Sequence, residues 1–256
     1  MAKKDGQSTV PVVPAETSKA VATEANIPKS NIPHIGKQDF IVAKILVQQD
    51  TSEKVKTQEA KRGEFRDTVE NKIFGSSQHP LEFIPLLASN FWVEYDVTSN
   101  PQGSYLGQYD VTATNEGQPR EVVVDGKKLK RVQTIECFIL IPEEVKAGIA
   151  FPYVLSFRMT SLRAGRTLLT QLRKNEMFGK PAYGNVCELS CTEESNDKGD
   201  YFVQRMKPKR ASTAEELVDA AKWAGVIGQG AVVVDNSDLK TGGGEDTMKD
   251  VKTDQF

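Results

Sequence analysis

Short strand-sized runs separated by turn signals dominate the chain from Gly63 to Arg158, and this alternation constrains the fold more than any other feature. Segments rich in Gly, Pro, Asn and Ser separate the runs, and Asp125-Gly126 has the residue types of a tight hairpin turn. The runs are FRDTVENKIF, LEFIPLL, FWVEYDV, SYLGQYDVTAT, EVVVDGKKLKRV, TIECFILI and FPYVLSFR. About seven such strands, interrupted late by one helix, predict a mainly β fold with a few helices, built as an OB-like, partly open barrel.

Polar segments flank the predicted barrel, which occupies residues 38–210. Residues 1–37 are polar and proline-containing without apolar periodicity, and such a segment cannot bury enough surface to offset its ordering entropy. We therefore expect a flexible N-terminal arm. Ser212-Thr213-Ala214-Glu215 has the pattern of a capping box and predicts a short helix within 211–226 that runs through Trp223 and is stopped by Gly225. Residues 227–256 are Gly-rich and polar, and predict a disordered acidic tail.

The composition of the chain favours a soluble protein. With 256 residues, the length fits one domain with tails or two small domains. No apolar run approaches the roughly 20 residues that span a bilayer, and MAKKDGQSTV has no apolar region after its lysines, so it does not predict a secretory signal. Three cysteines are an odd and sparse set, which is typical of a reducing compartment. We expect a cytoplasmic location.

One segment with helical periodicity interrupts the β pattern between Ser161 and Asn175. Its apolar residues fall on one side of a helix and its cations on the other. The apolar side consists of Leu162, Gly165, Leu168, Leu169 and Leu172, and the opposite side of Arg163, Arg166, Thr170, Arg173 and Lys174. Between Lys146 and Lys180 the local charge balance is +6, in a chain whose net charge is −2.

Intrahelical pairing does not neutralise these cations, since Glu176 is the one acid within four residues of them. Two interpretations remain open for this side of the helix. It is either a solvated helix face or a surface for phosphates, to which helix-borne arginines offer forked donors. In the second interpretation the phosphate-binding residues are Arg158, Arg163, Arg166, Arg173 and Lys174.

A second basic group lies in a predicted C-terminal hairpin. Period-2 alternation places Tyr201 on the same strand face as three cations, namely Arg205, Lys207 and Lys209. An aromatic residue followed by cations suits a single strand, with one base stacked and the backbone neutralised. The alternative is a half-buried Tyr201 beside a solvated basic loop, and the pattern favours neither interpretation.

The strand FWVEYDV offers a further aromatic residue, Trp92, that could stack a base. Trp92 shares its face with Glu94 and Asp96, however, and acids there would repel phosphate. Phe91 and Tyr95 alternate with it and form an ordinary core face together with two valines. For this strand the pattern favours structural packing over base stacking.

Catalytic and metal-binding constellations are hard to assemble from this sequence. Cys187-x-x-x-Cys191 could supply two thiolates, but a closed zinc site needs four ligands, while Cys137, His34 and His79 are remote and unpatterned. Buried reduced cysteines are the favoured alternative. With two histidines, no Ser-His or Cys-His pair is apparent, and no P-loop is present. We expect a protein that is not an enzyme and that uses no metal or cofactor.

The C-terminal segment is acidic, because residues 211–256 carry a net charge of −5 and end in DVKTDQF. It is either a solubilising tail or a partner-docking tail in which a terminal aromatic fills a pocket. The acids Asp250 and Asp254, with Phe256 at the end, resemble the tail of bacteriophage single-stranded DNA-binding proteins. The segments LEFIPLLASNFWVEYD and SFRMTSLRAGRTLLTQL also resemble phage-encoded proteins found among replication genes. The tail departs from the usual pattern in its three lysines and in the Gln before Phe256.

This resemblance implies a modified OB barrel that coats single-stranded DNA during phage replication and recombination in the host cytoplasm. It also implies a tail that contacts replication proteins and competes for the DNA groove. The expected partners are single-stranded DNA and replication proteins, without a membrane, and a homodimer remains open. The alternative is a non-enzymatic phage structural or assembly protein whose basic helix docks onto an acidic protein surface. A nuclease would need a carboxylate cluster that the sequence does not present.

Overall fold

The structure is a computed structural model that describes residues 41–50, 52–100, 103–197, 199–230 and 232–234. The predicted flexible arm (residues 1–37) and most of the predicted acidic tail lie outside these residues. Within them the chain forms twelve strands and four α-helices.

The strands are β1 (Ile41–Val42), β2 (Lys44–Val47), β3 (Phe65–Asp67), β4 (Ile73–Gly75), β5 (Leu81–Asp96), β6 (Ser104–Asp110), β7 (Glu121–Val124), β8 (Lys127–Leu140), β9 (Tyr153–Arg158), β10 (Asn185–Asn196), β11 (Gly199–Ala211) and β12 (Val233–Val234). The helices are α1 (Glu53–Lys56), α2 (Pro142–Lys146), α3 (Leu162–Met177) and α4 (Ala214–Gly228).

Ten of these strands form one sheet in the order β11-β10-β5-β8-β9-β2-β3-β4, with β6 paired to β5 and β7 paired to β8. The sheet is an open, strongly curled half-barrel, so the predicted mainly β, partly open barrel with a few helices is confirmed. Strands β2 and β9 pair in parallel, and the other pairs of this sheet are antiparallel.

Two long strands, β5 and β8, organise the sheet, whereas the turn signals predicted several shorter strands. The runs LEFIPLL and FWVEYDV belong to the single strand β5, because Ser89 and Asn90 continue the ladder opposite Glu136 and Ile135 of β8. The side chain of Asn90 accepts a hydrogen bond from Gln133 Nε2 (3.0 Å). Polar residues inside a strand look like a turn in sequence, but a cross-strand partner keeps them in the sheet.

The main hydrophobic core lies between the sheet and the apolar side of α3. Leu162, Leu168 and Leu172 are buried there against strand residues such as Phe157 and Ile135. The helix predicted over Ser161–Asn175 is thus confirmed, with bounds Leu162–Met177 and one preceding 3₁₀ turn. This packing fixes α3 across the curled sheet and turns its other side to solvent.

Side-chain contacts join β11 to the segment between β2 and β3. The side-chain amide of Gln49 is buried and forms both backbone hydrogen bonds that a neighbouring strand would form with Phe202. Its Nε2 donates to the carbonyl of Phe202 (3.0 Å), and its Oε1 accepts from the Phe202 N–H (2.8 Å). Beside it, Cys191 Sγ donates to the carbonyl of Gly63 (3.3 Å). These bonds hold the hairpin of β10 and β11 against the far side of the half-barrel.

Helix α4 packs with α2 over a second hydrophobic cluster, in which Ala220 and Ile227 are buried. Its capping box begins one residue later than predicted, since Thr213 is the N-cap and Glu216 the reciprocal partner. The helix also continues past Gly225 to Gly228, and Val232 packs on the same cluster. Apolar packing thus extends the ordered chain into residues that the sequence had assigned to the tail.

The close approach of α3 to the sheet gives a testable prediction at Gly165. A Cβ there would lie 2.8 Å from Phe157 Cβ and 3.1 Å from Ile135 Cβ, so Gly165→Ala should lower the free energy of unfolding by about 1–3 kcal/mol through overpacking. In α4, a Cβ at Gly225 would meet no heavy atom within 4 Å. As the matched control, Gly225→Ala should therefore raise that energy by up to about 1 kcal/mol through helix propensity. Urea unfolding followed by circular dichroism measures both, and stabilisation by both variants would contradict this packing.

A second prediction concerns Glu216, which accepts two hydrogen bonds from Arg210 (2.8 and 2.6 Å) and one from the Thr213 N–H (2.7 Å). The bond with Arg210 is the main cause that lowers the pKa of Glu216. A lowered folded-state pKa stabilises the fold above the unfolded value of about 4.3, and this stability is lost as the pH falls through the folded value.

Glu216→Gln should therefore reduce the unfolding free energy at pH 7 and flatten its decline in acid. Glu215→Gln, which changes an exposed neighbour in the same turn, is the control and should leave the profile near that of the wild type. Urea unfolding across pH 3–7 makes the comparison, and coinciding profiles for the two variants would contradict the assigned role of Glu216.

Candidate nucleic-acid interface

The candidate interface lies on α3, directly after the chain leaves β9. A single 3₁₀ turn, Met159–Ser161, joins the strand to the helix. Met159 has φ 48° there, a left-handed conformation that is uncommon for residues other than glycine. This sharp turn lets the chain change from strand to helix within three residues, so that the apolar side of α3 meets the inner face of the sheet.

The opposite side of α3 carries four exposed cations, which we call the cationic face: Arg163, Arg166, Arg173 and Lys174. Among the residues that the structure describes, no carboxylate lies within ion-pair distance of any of them. Arg158, the fifth cation predicted for this surface, is half-buried at the end of β9. The predicted segregation of charge on this helix is therefore present in the fold.

One member of the cationic face is held in place by a short polar chain. Arg166 Nη2 donates to Gln133 Oε1 (2.9 Å), and Gln133 Nε2 donates to Asn90 Oδ1 (3.0 Å). A neutral amide orients the guanidinium without cancelling its charge. Four N–H groups of Arg166 remain available to an anion, because a guanidinium has five and the bond to Gln133 uses one.

The beginning of α3 departs from the usual charge distribution of a helix. Its first turn has no acid and no side-chain cap, whereas α2 begins with Glu143 and Glu144, and α4 with Glu215 and Glu216. Acids near a helix N-terminus are favourable and cations there are unfavourable, each by about 0.3–1 kcal/mol. Placing Arg163 at that end therefore costs stability, which is understandable if the helix end serves an anion.

The second predicted basic group is neutralised by carboxylates. We call Arg205, Lys207 and Lys209 the hairpin cations. Arg205 pairs with Glu194 (2.7 Å) and Lys207 with Glu188 (3.0 Å). Lys209 pairs with Glu82 and lies 3.6 Å from Glu188, and the hydrogen bond to Glu82 raises the pKa of Lys209.

The structure does not bring the hairpin cations and the cationic face into one track. Phe202 and Met206 of β11 point into the core that α3 covers, so the alternation of the strand turns Arg205 and Lys207 to the other face. Strand β11 is an edge of the sheet, and lysines with a proline, here Pro208, are typical protection of such an edge.

The aromatic residues predicted to stack bases, Trp92 and Tyr201, do not expose their rings fully to solvent. Trp92 is 4% exposed, and its indole N–H has no hydrogen-bond partner among the described residues. Tyr201 is half-buried, and its hydroxyl donates to Glu194 Oε2 (3.5 Å). Phe91 and Tyr95 form a small buried cluster with Val93, as the core interpretation of this strand predicted.

A different aromatic residue, which the sequence argument did not single out, is open. Phe178 directly follows α3 and is 78% exposed, next to Met177 at 76%. The available signal was an apolar pair, Met177 and Phe178, that follows four polar residues at the end of the amphipathic pattern and precedes Gly179. Met177 and Phe178 thus form an exposed apolar pair next to the cationic face.

The three cysteines are buried and free of disulfides. Burial raises the pKa of both the Cys187 and the Cys191 thiol to about 12, so these thiols are protonated at neutral pH. A zinc ligand must be a thiolate. Within the described ranges, no group of three or more His, Cys, Asp or Glu residues could hold a metal ion.

The remaining predicted site residues, Asp250, Asp254 and Phe256, lie outside the described residues, so partner docking by the tail stays a prediction. In the part of the chain that the structure describes, none of the helices has the length and apolar character needed to cross a membrane.

The uncompensated charge of the cationic face predicts a stability effect at Thr170. This exposed residue lies four positions after Arg166 and three and four before Arg173 and Lys174. At low salt, Thr170→Glu should raise the unfolding free energy by about 0.5 kcal/mol relative to the neutral isostere Thr170→Gln, through new i,i+3 and i,i+4 pairs. Thermal unfolding at low and high salt measures the difference, which screening should abolish. No gain at low salt would mean that other acids already neutralise this face.

Comparison with known proteins identifies a phage family. The model of the Pam3 phage gp34-like protein family matches residues 18–229, a range that extends from before β1 to the residue after α4. The comparison with curated proteins gives no significant match, and neither does the comparison with solved structures. Because the match covers well over half of the 256 residues, the chain belongs to the family of Pam3 phage gp34-like proteins.

Proposed function

We propose that this phage protein binds single-stranded DNA without sequence preference, as a non-catalytic component of phage DNA replication or recombination. The observation that carries the proposal is the cationic face of α3, whose four exposed cations have no carboxylate partner among the described residues. The hairpin cations show the contrast, since each of them has a carboxylate partner.

The chemistry of the cationic face suits phosphates. Three of its four members are arginines, whose planar guanidinium groups donate to phosphate oxygens in a bidentate manner. Contacts with phosphates position a nucleic acid without reading its sequence. The expected binding is therefore sequence-independent.

The positions of the cations indicate a short track along the helix. Arg163 and Arg166 lie near the beginning of α3, and Arg173 and Lys174 lie near its end. At a rise of about 1.5 Å per residue, members of the two pairs are about 11–17 Å apart along the axis. A bound DNA strand would contact both ends of the helix, and the hydrogen bond to Gln133 would orient the Arg166 guanidinium.

The proposal predicts a steep salt dependence that depends on the cationic face. On single strands, log K falls by about 0.7 per decade of salt for each phosphate neutralised. Replacing Arg163, Arg166 and Arg173 together by Ala should reduce this slope by up to about 2 and lower the affinity at low salt. Fluorescence anisotropy of labelled oligo-dT against the full chain, over a range of salt concentrations, measures the slope.

A matched control removes three exposed lysines elsewhere, Lys56, Lys127 and Lys128. It changes the net charge by the same amount and should leave the slope close to that of the wild type. Equal effects of the two triple variants would indicate a general charge effect and contradict a site on α3. If the wild type binds no oligonucleotide, the alternative function follows, in which the cationic face docks an acidic protein surface during phage assembly.

A further inference from the structure

We infer that Phe178 is a base-stacking position at the end of α3, which makes the protein prefer single strands over duplexes. This inference rests on the proposed function and names the feature of the nucleic acid that the site recognises. It differs from the sequence-based expectation, which assigned stacking to Tyr201 and Trp92.

The exposure of Phe178 needs an explanation. Its side chain is 78% exposed, and no aromatic ring among the described residues packs against it. A ring left open in this way is available to a flat partner.

Hydrogen bonds of the helix end fix the backbone of Phe178. Its N–H donates to the carbonyls of both Lys174 and Asn175 (3.1 Å each). The N–H of Gly179 donates to Glu176 (3.0 Å), and Gly179 has φ 67°, the left-handed conformation that ends a helix. The ring is therefore presented from a closed helix cap and not from a loose loop.

The buried side chain of Asn175 fixes this cap to the sheet. It is 4% exposed, its Nδ2 donates to the carbonyl of Ala182 (3.3 Å), and its Oδ1 accepts from Asn185 Nδ2 (2.8 Å). The N–H of Lys180 also donates to the carbonyl of Asn175 (2.8 Å). Hydrogen bonds consequently link the end of the helix, the following turn and the start of β10.

The charges around Phe178 select the kind of partner. Arg173 and Lys174 lie one turn before it, Lys180 follows it by two residues, and Glu176 is the one acid in this stretch. An aromatic ring next to cations fits a nucleotide, because the base stacks on the ring while the cations meet the phosphate. A duplex keeps its bases stacked inside, so a single strand gains this contact and a duplex does not.

The test compares the full-length wild type with Phe178→Ala on three labelled probes: oligo-dT, an abasic oligonucleotide of equal length, and a duplex. The abasic probe keeps the phosphates and removes the bases. Phe178→Ala is expected to weaken oligo-dT binding about tenfold and to leave abasic and duplex binding and the salt slope unchanged. The side chain is exposed, so an unchanged thermal unfolding curve should accompany the loss.

Two control variants separate stacking from other roles of this surface. Phe178→Trp keeps an aromatic ring and should bind oligo-dT as the wild type does. Met177→Ala removes the neighbouring side chain, which is exposed to the same degree but has no ring, and should have no effect. If Met177→Ala weakens binding as much as Phe178→Ala, the surface is a hydrophobic contact and the inference is overturned.

The failure of this inference is distinct from the failure of the proposed function. If Phe178→Ala binds oligo-dT as tightly as the wild type does, base stacking by Phe178 is overturned. The same holds if the variant loses as much affinity for the abasic probe as for oligo-dT. In both cases phosphate binding by the cationic face stands. If the wild type binds none of the three probes, the proposed function fails and this inference fails with it.

Discussion

The packing of α3 into the curled sheet is the contact on which the rest of this structure depends. Leu162, Leu168 and Leu172 bury the apolar side of the helix, and the absence of a side chain at Gly165 lets the helix approach the Cβ atoms of Phe157 and Ile135. Interiors packed at this density tolerate little displacement. The depth and rotation of α3 are thereby fixed, and with them the direction in which the cationic face points.

Helix α3 carries four exposed cations that have no carboxylate partner among the described residues. Several cations elsewhere in the described chain pair with carboxylates; in the interior, for example, Lys44 Nζ lies 2.8 Å from Glu136 Oε1. On the sheet surface Arg131 pairs with Glu94 at 2.8 Å. The cationic face instead keeps its charge, and Arg163 stands at the unfavourable end of the helix dipole. In the proposed function, phosphate binding gives this unfavourable placement of Arg163 a role.

The two ends of α3 have complementary roles in the proposed interface. The beginning offers arginines, one of them oriented by Gln133, and the end offers the exposed ring of Phe178 on a cap fixed by Asn175. Phosphate contacts alone would bind duplex and single strand alike. The aromatic end is the part of the site that can distinguish them, because stacking needs an unpaired base.

Local patterns in the sequence determined the mainly β character, the bounds of α3 within two residues and the segregation of its charge, since each depends on residues that are close along the chain. Tertiary structure decided which charges remain unpaired. Glu82 reaches Lys209 across 127 residues, and period-2 alternation cannot reveal which strand lies beside which. The tertiary structure also joins LEFIPLL and FWVEYDV into the single strand β5, buries Trp92 and leaves Phe178 exposed. Burial depends on what packs above a side chain, and only the assembled sheet and helices supply that neighbour.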